Sequence, residues 1–243
     1  MHRAHEILAT CCVKSSRPLR ALPLVKSRPM PVKLGWVAVR VSATQVVLDA
    51  LREVCTVAKK EDIPVDFRVF DPPRTSKLAF WKKTHTPWVV ALLGSHHYSA
   101  IEWAQALSVH LNVPAVGFFV SEGGWSYSIF DGGSEVVALE HLSEPPPVLV
   151  GDRARASSLL DVDVALIERY VHAWGEEHLK PFPGDEFLPT NEWAHIDFAR
   201  HLGIIYPNDP QQQGKLFAPG PEMRMRAPEA WQGLPKRLEA EPR

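Results

Sequence analysis

The sequence predicts an α+β fold: a mixed sheet of about five strands with a C-terminal antiparallel meander, two helices packed on one face, then two further helices. Three observations carry this expectation. Two β-rich runs, WVAVRV (36–41) and WVVALLG (88–94), each precede a stretch of helical periodicity. In WSYSIF (125–130), Trp125, Tyr127 and Ile129 alternate with Ser126 and Ser128, the period-two pattern of a strand with one buried face. After the triple proline at 145–147 the pattern is purely helical.

The elements follow in order. After the first run, Val47, Leu51, Val54 and Ala58 recur at helical spacing, so a helix is expected over 44–62, ended by Pro64. VDFRVF (65–70) reads as an edge strand, and 71–87 as a connecting loop. WVVALLG is continuously apolar, as a strand buried on both faces would be. Ala100, Ala104, Leu107 and Leu111 share a face of a helix over about 99–112, which Asn112 and Pro114 stop. AVGFFVS (115–121), WSYSIF and VVALEHL (136–142) then form the meander. Asp131-Gly132-Gly133-Ser134 is hairpin-turn chemistry, because glycine accepts the positive φ that such turns need. A phosphate-binding loop would instead set its glycines between a strand and a helix start, so both Gly-Gly pairs read as corners of the sheet. Asp161 or Asp163 caps a helix carrying Val164, Ile167, Tyr170, Val171 and Trp174. Thr190 or Asn191 caps the last one, with Trp193, Ile196, Ala199 and Leu202, and Gly203 is its stop.

Charge divides the chain into parts. Residues 1–33 carry a net +6, within an overall charge of -1, so the remainder carries -7. The arm is expected to be a basic, disordered extension, with Met30 as an alternative start; its Arg-rich, acid-poor composition also suits an organellar targeting segment. A single α+β domain is expected over 34–206. The Pro-rich stretch 207–243 reads as a disordered tail with little to bury. An acidic folded part disfavours general phosphate-backbone binding and leaves the basic arm as the one place for it. Cys11, Cys12 and Cys55 offer neither a C-x-x-C pair nor a disulfide framework, which suits a reducing, cytoplasmic setting. No apolar run reaches 18 residues, so no membrane span is expected.

FWKKTHTPWVVALLG, EWAQALSVHLNVPAVGFFV, WSYSIFDGGSEV and EWAHIDFARHLGI, in this order, resemble a family of bacterial cytosolic α+β proteins. Trp125, Tyr127 and Ile129 match its W-x-Y-x-[LIF] hairpin. His195, Phe198, Ala199, Leu202, Gly203 and Ile204 match its terminal helix, and the likeness spans about residues 34–205. It implies the fold and carries no activity.

The candidate binding residues are His96, His97 and Tyr98, at the end of a central strand and the start of a helix, where α/β sites tend to lie. Adjacent imidazoles diverge, and a polar turn is the weightier reading of them. Glu192-x-x-His195 is one copy of a motif that di-iron bundles use twice, so no metal is expected; nor is a cofactor. There is no G-x-S-x-G nucleophile motif. Asp185-Glu186 and Glu176-Glu177 read as loop-solvating acids. Of the eight tryptophans most are expected in the core, with Trp81 and Trp231 as possible partner anchors. The leading expectation is a non-enzymatic protein acting through contact with another protein, an immunity protein or similar regulator being one form. The alternatives are an enzyme with a dispersed site near His96 and His97, and weak nucleic-acid binding through the arm.

Overall fold

The computed structural model of the chain describes residues 34–54, 56–57, 67–70, 88–93, 99–121, 124–140, 147–173, 179–207, 215–217, 223–224 and 236–238. The basic arm and Met30 lie outside the described residues.

Two strand–helix steps start the domain. β1 (Leu34–Val39) leads to α1 (Thr44–Val54), then β2 (Thr56–Val57) and β3 (Phe67–Phe70). β4 (Val89–Leu93) leads through α2 (Ala100–Leu111) to β5 (Ala115–Ser121). The meander continues as β6 (Gly124–Asp131), β7 (Ser134–Glu140) and β8 (Val148–Gly151). Three helices follow, α3 (Arg153–Leu160), α4 (Val164–Ala173) and α5 (Ala194–His201), and then β9 (Lys215–Phe217) and β10 (Met223–Arg224).

The class is α+β, and the sheet is larger and more regular than expected. It has eight strands in the order β8-β7-β6-β5-β1-β4-β3-β9, and every neighbouring pair is antiparallel. The expectation of a mixed sheet fails because each helical crossover skips a strand. β1 and β3 run the same way but flank β4, and β4 and β5 run the same way but flank β1. The order β5-β1-β4-β3 is the ferredoxin-like β-α-β-β-α-β arrangement. The two similar openings, WVAVRV and WVVALLG, are the paired central strands of its two halves.

Helices cover both faces. α1 and α2 lie over Val37, Val39, Val89, Ala91 and Phe130. The other face, with Trp36, Phe118, Trp125, Tyr127 and Ile129, is covered by α3, α4 and α5 rather than by two helices. The expected inward alternation of Trp125, Tyr127 and Ile129 holds, but Ser128 is buried as well, because the opposite face is also covered. A row of large side chains crosses the α3–α5 face in register: Trp36 opposite Phe118, Phe118 opposite Tyr127, Tyr127 opposite Leu139. Trp36 and Phe118 stack with centroids 3.9 Å apart, and Phe198 of α5 stacks on Tyr127 at 4.5 Å.

Local signals fix the ends. Gly132 and Gly133 have φ of 53° and 82°, the pair of positive values of a type I′ hairpin turn. α2 seals that turn: Gln105 Nε2 donates to the Gly133 carbonyl (2.9 Å), and the Gly133 N–H donates to Ser108 Oγ (3.0 Å). The turn is therefore a packed corner of the sheet; Gly123, of the other pair, lies outside the described residues. Asp163 caps α4 by accepting from the Ala165 N–H, whereas Asp161 terminates α3 in the left-handed region. α5 ends in a Schellman motif, with Gly203 N–H bonded to the Arg200 carbonyl and Ile204 N–H to that of Ala199. α1 stops at Val54, before the expected end, and Thr56–Val57 pairs instead with Met223–Arg224. Long-range pairing of β-branched residues there outweighs the helical spacing. Within the stretch read as a tail, β9 pairs with β3, β10 pairs with β2, and Arg237 and Leu238 lie beside β7; residues 208–214, 218–222, 225–235 and 239–243 are outside the described residues.

Candidate functional site

His96, His97 and Tyr98 lie outside the described residues, as do Cys55, Trp81, Trp174 and Trp231. The described residue types that could carry acid–base chemistry gather elsewhere, where residues 179–190 pass between α4 and α5.

Asp185 is the centre. Its Oδ2 accepts from Tyr170 Oη of α4 (2.9 Å) and from the Phe182 N–H (3.1 Å), and its Oδ1 meets His201 Nε2 of α5 at 2.7 Å. Its carbonyl accepts from Lys180 Nζ (2.8 Å). The acid reads as loop-solvating in the sequence, yet it is buried, because its partners come from the two flanking helices. The His201 ring lies 4.2 Å from that of Phe182, over which the guanidinium of Arg169 sits at 4.8 Å. Burial, then the neighbouring Asp185 charge, drives the Tyr170 hydroxyl far above the ordinary phenol range, so it stays a donor.

A second carboxylate repeats the arrangement one step along. Asp197 Oδ2 accepts from the Glu186 and Phe187 N–H groups (2.7 and 2.8 Å), and its Oδ1 accepts from Arg200 (2.9 Å). Burial raises its carboxyl above the ordinary value, against the pull of those backbone donors. Glu186 is exposed and pairs loosely with Arg200 at 3.4 Å. Both buried acids are thus engaged in fastening the 179–190 segment to the helices.

His195 occupies a different place, over the aromatic row. Its ring lies 5.8 Å from Trp36, 5.7 Å from Tyr206 and 5.9 Å from Trp193. Nδ1 donates to the Glu192 carbonyl at 2.7 Å, and Nε2 has no hydrogen-bond partner. Burial lowers its pKa to about 4, so the ring is neutral near pH 7. The Glu192-x-x-His195 pair is therefore joined through a main-chain carbonyl and not through the carboxylate. Glu192 precedes α5 in a turn, so the two residues do not share one helix face. His201 points to Asp185, so the two histidines make separate contacts.

Among the described residues no three His, Cys, Asp or Glu side chains gather to hold a metal ion, and no helix is long and apolar enough to cross a membrane. Comparison of the chain with protein-family models, with curated proteins and with solved structures gives no match.

An Asp–His pair can serve as the orienting half of a catalytic triad when the second ring nitrogen faces a nucleophile. Here a phenol donates to the same carboxylate, and an apolar ring lies beside the imidazole. Together these bonds form a buried latch that ties the 179–190 segment to α4 and α5. Sequence reasoning could have found it only through the spacing Tyr170, Asp185, His201, which puts one polar group in each of three consecutive segments.

Proposed function

We propose that the protein acts by contact with another protein and not by catalysis. The observation that supports this reading best is the Asp185 latch: the buried Asp185 and Asp197 carboxylates serve to hold a loop. The charge division supports it too, since a -7 body is suited to a basic partner. Neutralisation of a basic toxin, or regulation of a basic enzyme, is the concrete form that this charge favours.

The test is in-cell cross-linking of the full chain in its native host, followed by purification and mass measurement of the complex at low and high salt. A stoichiometric partner with a basic surface, held less tightly as salt rises, is the expected result. A chain that stays free of any stoichiometric protein, while turning over a metabolite from a host extract, would sink the reading.

A further inference from the structure

The α1/α2 face of the sheet does not end at α2. Beyond that helix, over β6, β7 and β8, lies a polar recess occupied by residues from the far C-terminal part of the chain. Glu135 of β7 forms its base, with a side chain that has no exposure. One carboxylate oxygen accepts from Arg237 Nε (3.1 Å) and the other from the Leu238 N–H (2.6 Å). Arg237 Nη2 donates to Ser128 Oγ of β6 at 3.3 Å, and Nη1 lies 3.9 Å from Glu102 Oε1 of α2. The second Glu102 oxygen is buried without a hydrogen-bond partner. The Leu238 side chain fills the space beside Gly151 of β8, where an added Cβ would come within 2.7 Å of its Cδ1.

Each part of this recess recognises a feature of a peptide. Two carboxylates and a hydroxyl surround one guanidinium, and its three nitrogens each face a different one of them, a spread of donors that a planar guanidinium offers and a lysine ammonium does not. The second Glu135 oxygen reads the backbone N–H of the next residue. The glycine leaves room for an aliphatic side chain at that same next position. The seated segment lies across the recess rather than inside it, since the Arg237 side chain is 37% exposed while Glu135 has no exposure.

From this geometry we infer that the recess is a docking site for an extended partner segment with an arginine followed by an aliphatic residue, and that Arg237–Leu238 is its tethered occupant. The partner must displace the chain's own tail, so the tail sets a threshold for docking. This deepens the protein-contact reading and rests on it for its use in the cell, but the site is tested by itself.

The probe is a fluorescein-labelled synthetic peptide, GLPKRLEAE, with the sequence of residues 233–241, and a control peptide with alanine in place of its arginine. Fluorescence anisotropy follows binding to the full wild-type chain and to full-length Arg237→Ala. A tethered segment competes at an effective concentration on the order of millimolar, so Arg237→Ala is expected to bind the peptide at least about 10-fold more tightly than wild type. The control peptide is expected to bind at least about 10-fold more weakly, and adding Glu135→Gln to Arg237→Ala should abolish the gain. Ser128→Ala in the same background is the second variant if Glu135→Gln does not fold by circular dichroism; it should weaken binding. Equal binding by wild type and Arg237→Ala overturns the tethered-occupant claim. Equal binding of the two peptides, or no binding by Arg237→Ala, overturns the arginine site. Failure of the cross-linking test with success here would remove the cellular partner and leave the recess as a self-docking site.

Discussion

The two faces of the sheet bury their polar groups in opposite ways. On the α3–α5 face, Asp185 is met by Tyr170, Phe182 and His201, none more than 16 residues away. On the α1/α2 face, Glu135 is met by Arg237 and Leu238, more than 100 residues away. A carboxylate sealed by its neighbours in sequence cannot regain water without opening the packing of α4 and α5. A carboxylate covered by a distant segment regains water as soon as that segment lifts. Similar hydrogen bonds therefore hold structure on one face and a movable contact on the other.

The largest expected effect comes from the sealed side. Asp185→Ala leaves Tyr170 Oη, the Phe182 N–H and His201 without their acceptor, and should cost about 3–5 kcal/mol in urea unfolding. A loss under about 1 kcal/mol would mean that water reaches this latch, and the contrast between the faces would collapse.

Acid should act on the same face through His195. Its folded pKa of about 4 lies below the ordinary 6.5, so the folded state disfavours the proton. The stability tied to the neutral ring is present in full above pH 6.5 and is lost as pH falls through 4. The loss amounts to about 3 kcal/mol at most. Unfolding curves between pH 7 and 4 should show it, and His195→Phe should remove that part of the slope. An unchanged slope in the variant would place the acid sensitivity elsewhere.

Tyr127→Phe sharpens the comparison from the other direction. The Tyr127 hydroxyl is buried and has no hydrogen-bond partner, so its removal should leave the protein as stable or more stable by about 1 kcal/mol. A clear destabilisation would reveal a partner for that hydroxyl. The smallest effect belongs to the liftable side: Arg237→Ala should cost less than about 1 kcal/mol, because Glu135 returns to water when the segment leaves. A loss as large as that of Asp185→Ala would make the tail a structural element like the latch.

What the sequence made legible follows from how local each signal is. The stripe of Val47 and Leu51, the Asn112 stop, the Gly132-Gly133 turn and the Gly203 cap are each decided within a few residues, and each stands as read. β8 was missed because four residues, VLVG, are too few to show a period, and α3 because RARASSLL has only a faint apolar stripe. The all-antiparallel order was hidden for another reason. Whether a crossover lands beside its starting strand or one place beyond depends on which strand fills the gap, and WVVALLG gives no sign of that. The latch at Asp185 went unread because an acid between Gly184 and Glu186 looks solvated until α4 and α5 close over it. Arg237 gave no local cue at all, since its partners are on β6, β7 and α2.

The pairing of β9 with β3 also sets a schedule for synthesis. Phe67 finds its partner Phe217 only after about 150 further residues have been made, which takes on the order of ten to thirty seconds at ordinary ribosome rates. Through that interval the four-residue edge of β3 stands open beside an otherwise completed ferredoxin-like half, available to any other growing chain. Polysome crowding and slow codons downstream of position 120 would lengthen the exposure, and shortening β3 would reduce it. The short C-terminal strand is thus a late-arriving guard for an early strand, and the yield of native protein should depend on how promptly it emerges.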